Sequence, residues 1–175
     1  MYFHERNKYL KNKNSQIIID KLPLNIIHVG EILRFFPNAK FILALRHPYD
    51  SILSCFMQQF SLNPAMKNFL NIEKSAYLYD LVMRLWTIYL KGFSINFHII
   101  KYEDIVSNFE KTTKDIYKYL NIDWTDKTKD FYLTAKNRMD ISTPSYDQIT
   151  SPIYSKSINR WKNYEKKFKS SKKYL

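Results

Sequence analysis

The passage 36–54 constrains the fold more than any other part of this chain. An apolar run, expected as a strand over 40–45, ends at Arg46, and Pro48 follows two residues later. Proline suits the first position of a helix because the N–H that it lacks has no partner there in any helix. A strand, a short turn and a helix are therefore expected, with the guanidinium of Arg46 beside the helix N-terminus. Guanidinium donors and the main-chain N–H groups of a helix end are suited to holding a phosphate.

Apolar patterning predicts two further strands and several helices. The runs 16–20 and 97–101 are short and rich in isoleucine, which is typical of buried strands. Helices are expected over 25–36, 48–60, 73–90, 108–120 and 126–136. The third has apolar side chains at helical spacing, namely Tyr77, Leu81, Leu85 and Ile88. Apolar strands separated by helices indicate an α/β fold with a parallel sheet flanked by helices.

The residues that follow the three expected strands are Lys21, Arg46 and Tyr102. In a parallel α/β sheet, ligands bind beyond the carboxyl ends of the strands. Two cations and an aromatic side chain would therefore meet at one edge, although they are far apart in the sequence. Their convergence favours a ligand site there more strongly than any one of them would.

The net charge of +12 is concentrated at the C-terminal end. Residues 156–175 carry eight cations and one acid, a net +7, which leaves +5 for the other 155 residues. We expect one domain over 1–165, followed by a solvated, partly frayed basic tail over 166–175. A basic surface favours anionic ligands without saying which.

Cysteine use and hydropathy indicate a reducing compartment. The single cysteine, Cys55, excludes an internal disulfide and is expected as a small packed side chain. No run approaches the roughly 18 apolar residues of a membrane span, and the first twenty residues have no signal-peptide core. A cytoplasmic location is therefore expected. The four histidines lack metal-ligand spacing, so no metal is expected.

The pattern Arg46-x-Pro48-x-Asp50-x-x-x-Ser54 resembles the 3′-phosphate-binding motif of sulfotransferases that use 3′-phosphoadenosine-5′-phosphosulfate (PAPS). The wider context resembles the bacterial tetratricopeptide-associated sulfotransferases and, more remotely, the tyrosylprotein sulfotransferases. The resemblance extends over 17–164, and its supporting segments are 20–25, 36–41, 53–56 with 59–60, 85–86, 102–104, 143–145 with Gln148, and 152–154 leading to 160–161. It implies a sulfotransferase fold of the P-loop-NTPase-like type.

The resemblance also implies roles for individual residues. Arg46 and Ser54 would bind the 3′-phosphate of PAPS, and Tyr102 would lie against the adenine. Lys21 would contact the phosphosulfate and assist the leaving oxygen, as the catalytic residue.

A closing segment is implied on the 3′-phosphate side. It runs from Tyr154 to Arg160, and Thr143 or Ser145 would lie nearby. Tyr154, Arg160 and Ser145 are therefore also expected at the nucleotide.

The chain departs from this family in one respect. Family members begin with a glycine-rich loop that cradles the 5′-phosphosulfate, whereas the glycines here are Gly30, inside a predicted helix, and Gly92, just after one. The chain therefore resembles the C-terminal two-thirds of the fold, N-terminally truncated. A separate N-terminal half or self-association through an exposed sheet edge is expected. The general base has no counterpart; His28 is the best candidate, although a packed helix histidine is favoured.

Three functions remain open from the sequence. The first is sulfuryl transfer from PAPS to a hydroxyl or amine acceptor, which leaves adenosine 3′,5′-bisphosphate. The second is an inactive remnant that binds this bisphosphate. The third, a basic nucleic-acid-binding domain, is disfavoured because the positive excess lies mainly in the tail and no recognition motif is present. The acceptor is open among peptide, carbohydrate, lipid and small alcohol.

Overall fold

The structure is a computed structural model that describes residues 17–137 and 146–175. The strands are β1 (Phe41–Leu45) and β2 (Phe97–Lys101). The α-helices are α1 (Val29–Phe35), α2 (Pro48–Phe56), α3 (Ile72–Gly92), α4 (Tyr102–Ser107), α5 (Phe109–Leu120), α6 (Phe131–Lys136) and α7 (Tyr146–Ile149). Helices of the 3₁₀ type span Asn25–His28, Met66–Leu70, Asp126–Asp130 and Arg160–Tyr174.

The two strands form a parallel pair, with Phe41 opposite Phe97 and Leu45 opposite Lys101. The hydroxyl of Tyr119 on α5 donates to the carbonyls of Phe41 and Asn96, 3.2 and 2.8 Å away, and ties that helix to the start of both strands. The predicted α/β architecture, a parallel sheet flanked by helices, is confirmed. Two of its three predicted strands are present.

The predicted first strand, over 16–20, is wrong. Residues 17–20 form no strand, residue 16 lies outside the described ranges, and Ile19 is 74% exposed. Isoleucine-rich segments become strands only where a neighbouring strand bonds to them, and no strand of the described ranges pairs with this segment. Lys21 therefore does not follow a strand.

The predicted helix over 73–90 is present as α3, but its spaced apolar residues are not its buried ones. Tyr77, Leu81 and Ile88 are largely exposed, and Ile88 is 63% exposed. The buried positions are Ser75, Ala76 and Trp86, which are equally compatible with helical spacing. The helix carries apolar residues on more than one side, so spacing alone did not select the face that packs.

The main core cluster joins α2, α3 and the C-terminal 3₁₀ segment, Arg160–Tyr174. Ile52 and Leu53 of α2 pack with Ala76 of α3 and with Phe168, which is 1% exposed. Ser171, next along this segment, is also buried. The expectation of a solvated, frayed end is therefore wrong for these side chains, because Phe168 supplies an aromatic ring that the α2–α3 junction buries.

The register of the sheet decides where the candidate residues lie. Leu45 and Lys101 are opposite each other at the carboxyl ends of their strands, so Arg46 and Tyr102, the next residues of each chain segment, leave the sheet side by side. Pro48 begins α2 at its first turn, as its missing N–H predicts, and Tyr102 begins α4.

Candidate functional site

Arg46 and Tyr102 are in direct contact at the carboxyl edge of the sheet. The guanidinium carbon lies 4.9 Å from the centre of the Tyr102 ring, a cation–π geometry. Partial burial raises the pKa of the Tyr102 hydroxyl, and the nearby charge of Arg46 opposes that rise. The hydroxyl is thus held as a neutral donor, and it donates to the main-chain carbonyl of Tyr154 at 3.2 Å.

The guanidinium of Arg46 is only partly satisfied. Its Nη2 donates to the main-chain carbonyl of Ser157 at 2.6 Å. Its Nε is buried and has no hydrogen-bond partner within the described residues. Leaving such a group unpaired costs about 1–3 kcal/mol, which the oxygen of a bound anion would recover.

Asp50 does not neutralise Arg46, although the two are close in sequence. The Asp50 side chain is 1% exposed, and its two carboxylate oxygens accept the main-chain N–H groups of Asn159 and Trp161 at 2.7 and 2.9 Å. No ion pair of Arg46 with a carboxylate is present in the described part of the chain. The positive charge of Arg46 is therefore left for a ligand.

Arg46 and Ser54 line one cavity of about 370 Å³. Tyr102, Tyr154 and Arg160 line it as well. Five of the predicted binding residues are thus brought together, from four separate segments of the chain. Ser145 falls outside the described residues.

The walls of this cavity combine cationic and apolar groups. Two arginines line it, and Asp50, the one carboxylate among its described lining residues, has both oxygens occupied by N–H donors. Phe109 and Phe131 supply aromatic rings. A volume of this size is within the usual range for small-ligand sites, and the chemistry suits an anion that also carries an aromatic group.

Lys21 lies away from this cavity. Its side chain is exposed and lines a second, larger and mostly apolar groove of about 920 Å³ that follows β1. Arg46 borders both spaces, so the two are neighbours. The catalytic role of Lys21 stays a prediction, and the missing strand removes one reason for it.

His28, the candidate base, is exposed. Its Nδ1 lies 2.8 Å from a carboxylate oxygen of Glu31 on the same helical stretch. This pairing is local and does not involve the cavity.

Cys55 borders the apolar groove as a half-buried thiol. Burial raises the pKa of its thiol, more than the charge of Arg46 lowers it. The thiolate is therefore disfavoured, in line with a packing role.

His47 supports the turn between β1 and α2, which the sequence did not reveal. Its ring stacks on Trp161, with centroids 5.3 Å apart, and its main-chain N–H donates to a carboxylate oxygen of Glu103 at 2.9 Å. Asp50, Ser157 and Glu103 are the site-building residues that sequence reasoning missed. Each stood inside a segment of the resemblance, Asp50 in 46–54, Glu103 in 102–104 and Ser157 in 154–160, but none was given a role in building the site.

Residues 17–137 and 146–175 lack both a metal-binding cluster and a membrane-spanning helix. These ranges contain no cluster of three or more histidine, cysteine or acidic side chains placed to hold a metal ion. They also contain no helix with the length and apolar character needed to cross a bilayer.

A sequence model described as the sulfotransferase family matches residues 3–126. The match covers most of the chain, including Lys21, Arg46, Ser54 and Tyr102, and it ends before the closing segment. The chain belongs to the sulfotransferase family. It is also 26% identical, over 166 residues, to an uncharacterized protein of Aquifex aeolicus (strain VF5). That alignment covers 94% of this chain and 21% of the relative, so the chain spans about a fifth of the relative's length.

Proposed function

We propose that this chain binds the nucleotide part of PAPS and serves sulfuryl transfer to a hydroxyl or amine. One observation carries the proposal: Arg46, with a buried N–H that lacks a partner, lines the same cavity as four other predicted nucleotide contacts. Family membership supplies the reaction class. The cavity supports the choice of donor, because its arginines are positive and its walls include aromatic rings.

The proposal places the 3′-phosphate at Arg46 and Ser54. The guanidinium would give its unpaired Nε–H to a phosphate oxygen. The Ser54 hydroxyl, about one turn of α2 beyond Asp50, would give a second donor. Tyr102 would lie against the adenine, and Tyr154 and Arg160 would close the same end. All five contacts come from residues that already line one space.

Sulfuryl transfer breaks the bond between sulfur and the bridging phosphate oxygen and forms a bond from sulfur to the acceptor. The leaving oxygen gains negative charge, and the proton of the acceptor passes to a base. We assign Lys21 to the leaving oxygen, where one preorganised donor contributes on the order of 3 kcal/mol to the barrier. Its position beside the groove that Arg46 also borders supports this assignment. Peptide, carbohydrate and small alcohol are the acceptor classes proposed.

A second function is retained because of the glycines. Gly30 lies in α1 and Gly92 ends α3, so neither belongs to a phosphate-binding loop of the 175 residues. A chain that holds adenosine 3′,5′-bisphosphate without transferring sulfate is consistent with this observation.

Calorimetry with adenosine 3′,5′-bisphosphate tests the binding step. We expect Arg46→Ala to weaken binding by about 10- to 100-fold, since hydrogen bonds to charged groups contribute about 1.5–3 kcal/mol. Arg34→Ala, at an exposed arginine of α1, is the matched control and should bind as the parent chain does. Adenosine 5′-monophosphate lacks the 3′-phosphate. For this ligand, the difference in affinity between the parent chain and the Arg46→Ala variant should therefore be much smaller. Equal affinity of both variants for the bisphosphate would refute the assignment.

Transfer of labelled sulfate from PAPS to a panel of alcohols, sugars and tyrosyl peptides then separates the two functions. Transfer that Lys21→Ala abolishes supports the sulfotransferase. Binding without transfer supports the second function.

A further inference from the structure

We infer that Asp50 is a positioning residue that fixes the main chain of the closing segment, 154–161, and thereby holds Arg160 at the cavity. The inference rests on the proposed nucleotide site. It adds a residue that makes no contact of its own with the ligand.

The geometry of Asp50 is that of a main-chain anchor. Its side chain, in the first turn of α2, is 1% exposed. Oδ2 accepts the N–H of Asn159 at 2.7 Å, and Oδ1 accepts the N–H of Trp161 at 2.9 Å. These partners lie more than 100 positions along the chain. Interaction with the helix dipole needs neither burial nor these two bonds to a distant segment.

The two bonds bracket Arg160. Asn159 adopts a left-handed conformation, with φ of 57° and ψ of 17°, which is unfavourable for most side chains and tolerated by asparagine. The bond from its N–H to Asp50 stabilises that turn. Because the residues on both sides of Arg160 are tied to one carboxylate, the direction in which its side chain leaves the backbone is set.

Two further hydrogen bonds to the main chain of this segment come from the binding residues themselves. Nη2 of Arg46 donates to the carbonyl of Ser157, and the hydroxyl of Tyr102 donates to the carbonyl of Tyr154. Both of those side chains are also assigned to the nucleotide, through the Nε of Arg46 and the ring of Tyr102. Asp50 has no such second assignment, because its negative charge would repel a phosphate and both of its oxygens accept N–H groups of the segment. Its role is therefore confined to the segment.

Hydrogen exchange without ligand tests the anchor directly. In Asp50→Asn, one N–H faces an amide NH₂ in place of an oxygen, so we expect exchange in the peptide containing residues 154–161 to quicken by at least tenfold. Asp80→Asn is the control, because Asp80 pairs with the exposed Arg84 on α3, far along the chain from this segment. Exchange as slow as in the parent chain would overturn the inference.

A double-variant cycle tests the link to Arg160. Asp50→Asn and Arg160→Ala should each weaken binding of adenosine 3′,5′-bisphosphate by about tenfold. The double variant should bind no more weakly than Arg160→Ala alone. Asp50 acts by placing the Arg160 side chain, and that side chain is already absent from the Arg160→Ala variant. A purely structural role would give multiplied losses, about 100-fold, and would overturn the inference.

Two results keep this test distinct from that of the proposed function. A parent chain that binds no bisphosphate overturns the nucleotide site, whereas altered exchange in Asp50→Asn would still establish the anchor.

Should Asp50→Asn not fold, Asn159→Gly and Asn159→Ala replace it. The Asn159→Gly variant keeps the left-handed turn and should bind the bisphosphate as the parent chain does. The Asn159→Ala variant strains that turn, so it should weaken binding as expected of Asp50→Asn, with no further loss when combined with Arg160→Ala. Equal binding by the two would overturn the inference.

Discussion

Removing the ring of Phe168 is the sharpest test of the C-terminal packing. The ring is 1% exposed and lies among Ile52, Leu53 and Ala76, and its centroid is 4.9 Å from that of Tyr49 in an edge-on arrangement. Phe→Ala at a closely packed site costs about 3–5 kcal/mol, which includes the cavity that remains. This is a large part of the roughly 5–15 kcal/mol that stabilises a typical domain.

Thermal unfolding followed by circular dichroism measures this cost. At about 2–4 °C per kcal/mol for a chain of this size, Phe168→Ala should lower Tm by roughly 6–20 °C. Lys169→Ala changes the exposed neighbour and should leave Tm within about 2 °C.

The reasoning also predicts an effect on the site. Tyr49 lies between Phe168 and Trp161, and the main-chain N–H of Trp161 donates to Asp50. Removing the ring should therefore increase the rate of hydrogen exchange in the closing segment at temperatures where the variant is still folded. A Phe168→Ala variant with the Tm of the parent chain would show that the segment is a frayed tail, and would refute the packing described above.

Two further outcomes are expected. Lys114 and Lys129 lower the pKa of the Glu110 carboxyl to about 2. The contribution of this carboxylate to stability is therefore complete above about pH 4.5 and is lost as the pH falls towards 2. The free energies of unfolding of the parent chain and Glu110→Gln, from urea titrations, should differ at pH 7 and converge near pH 2, and a difference that stays constant with pH would contradict this. Ile42→Lys, at an exposed position of β1, should reduce concentration-dependent self-association in size-exclusion chromatography, whereas Thr87→Lys on α3 should not. Equal behaviour of the two variants would exclude the strand as the site of association.

Much of the strand–turn–helix unit was predictable because its determinants are local. The apolar run of β1, the arginine that follows it and the proline at the first turn of α2 act over a few residues. The spacing between Arg46 and Ser54 also carried over into the structure, where both side chains border one cavity.

The failures share a physical cause, which is dependence on distant partners. The segment 16–20 has strand-like composition, but a strand needs a neighbour to bond with, and no strand pairs with residues 17–20 in the described ranges. The helix α3 has apolar residues on several sides, so contacts with distant elements determine which face is buried. Phe168 lies among lysines, whose charge predicts a solvated segment although the core buries the ring.

The amino-acid sequence by itself determined the family, the parallel α/β pattern and the cationic side chain at the end of β1, since these follow from short-range patterns and motif spacing. Only the tertiary structure decided how the cavity is closed. The carboxylate of Asp50 and the carbonyl of Ser157 meet partners more than 100 positions away, and a hydrogen bond across such a distance leaves no mark on local composition. The chain had to fold before those groups could meet.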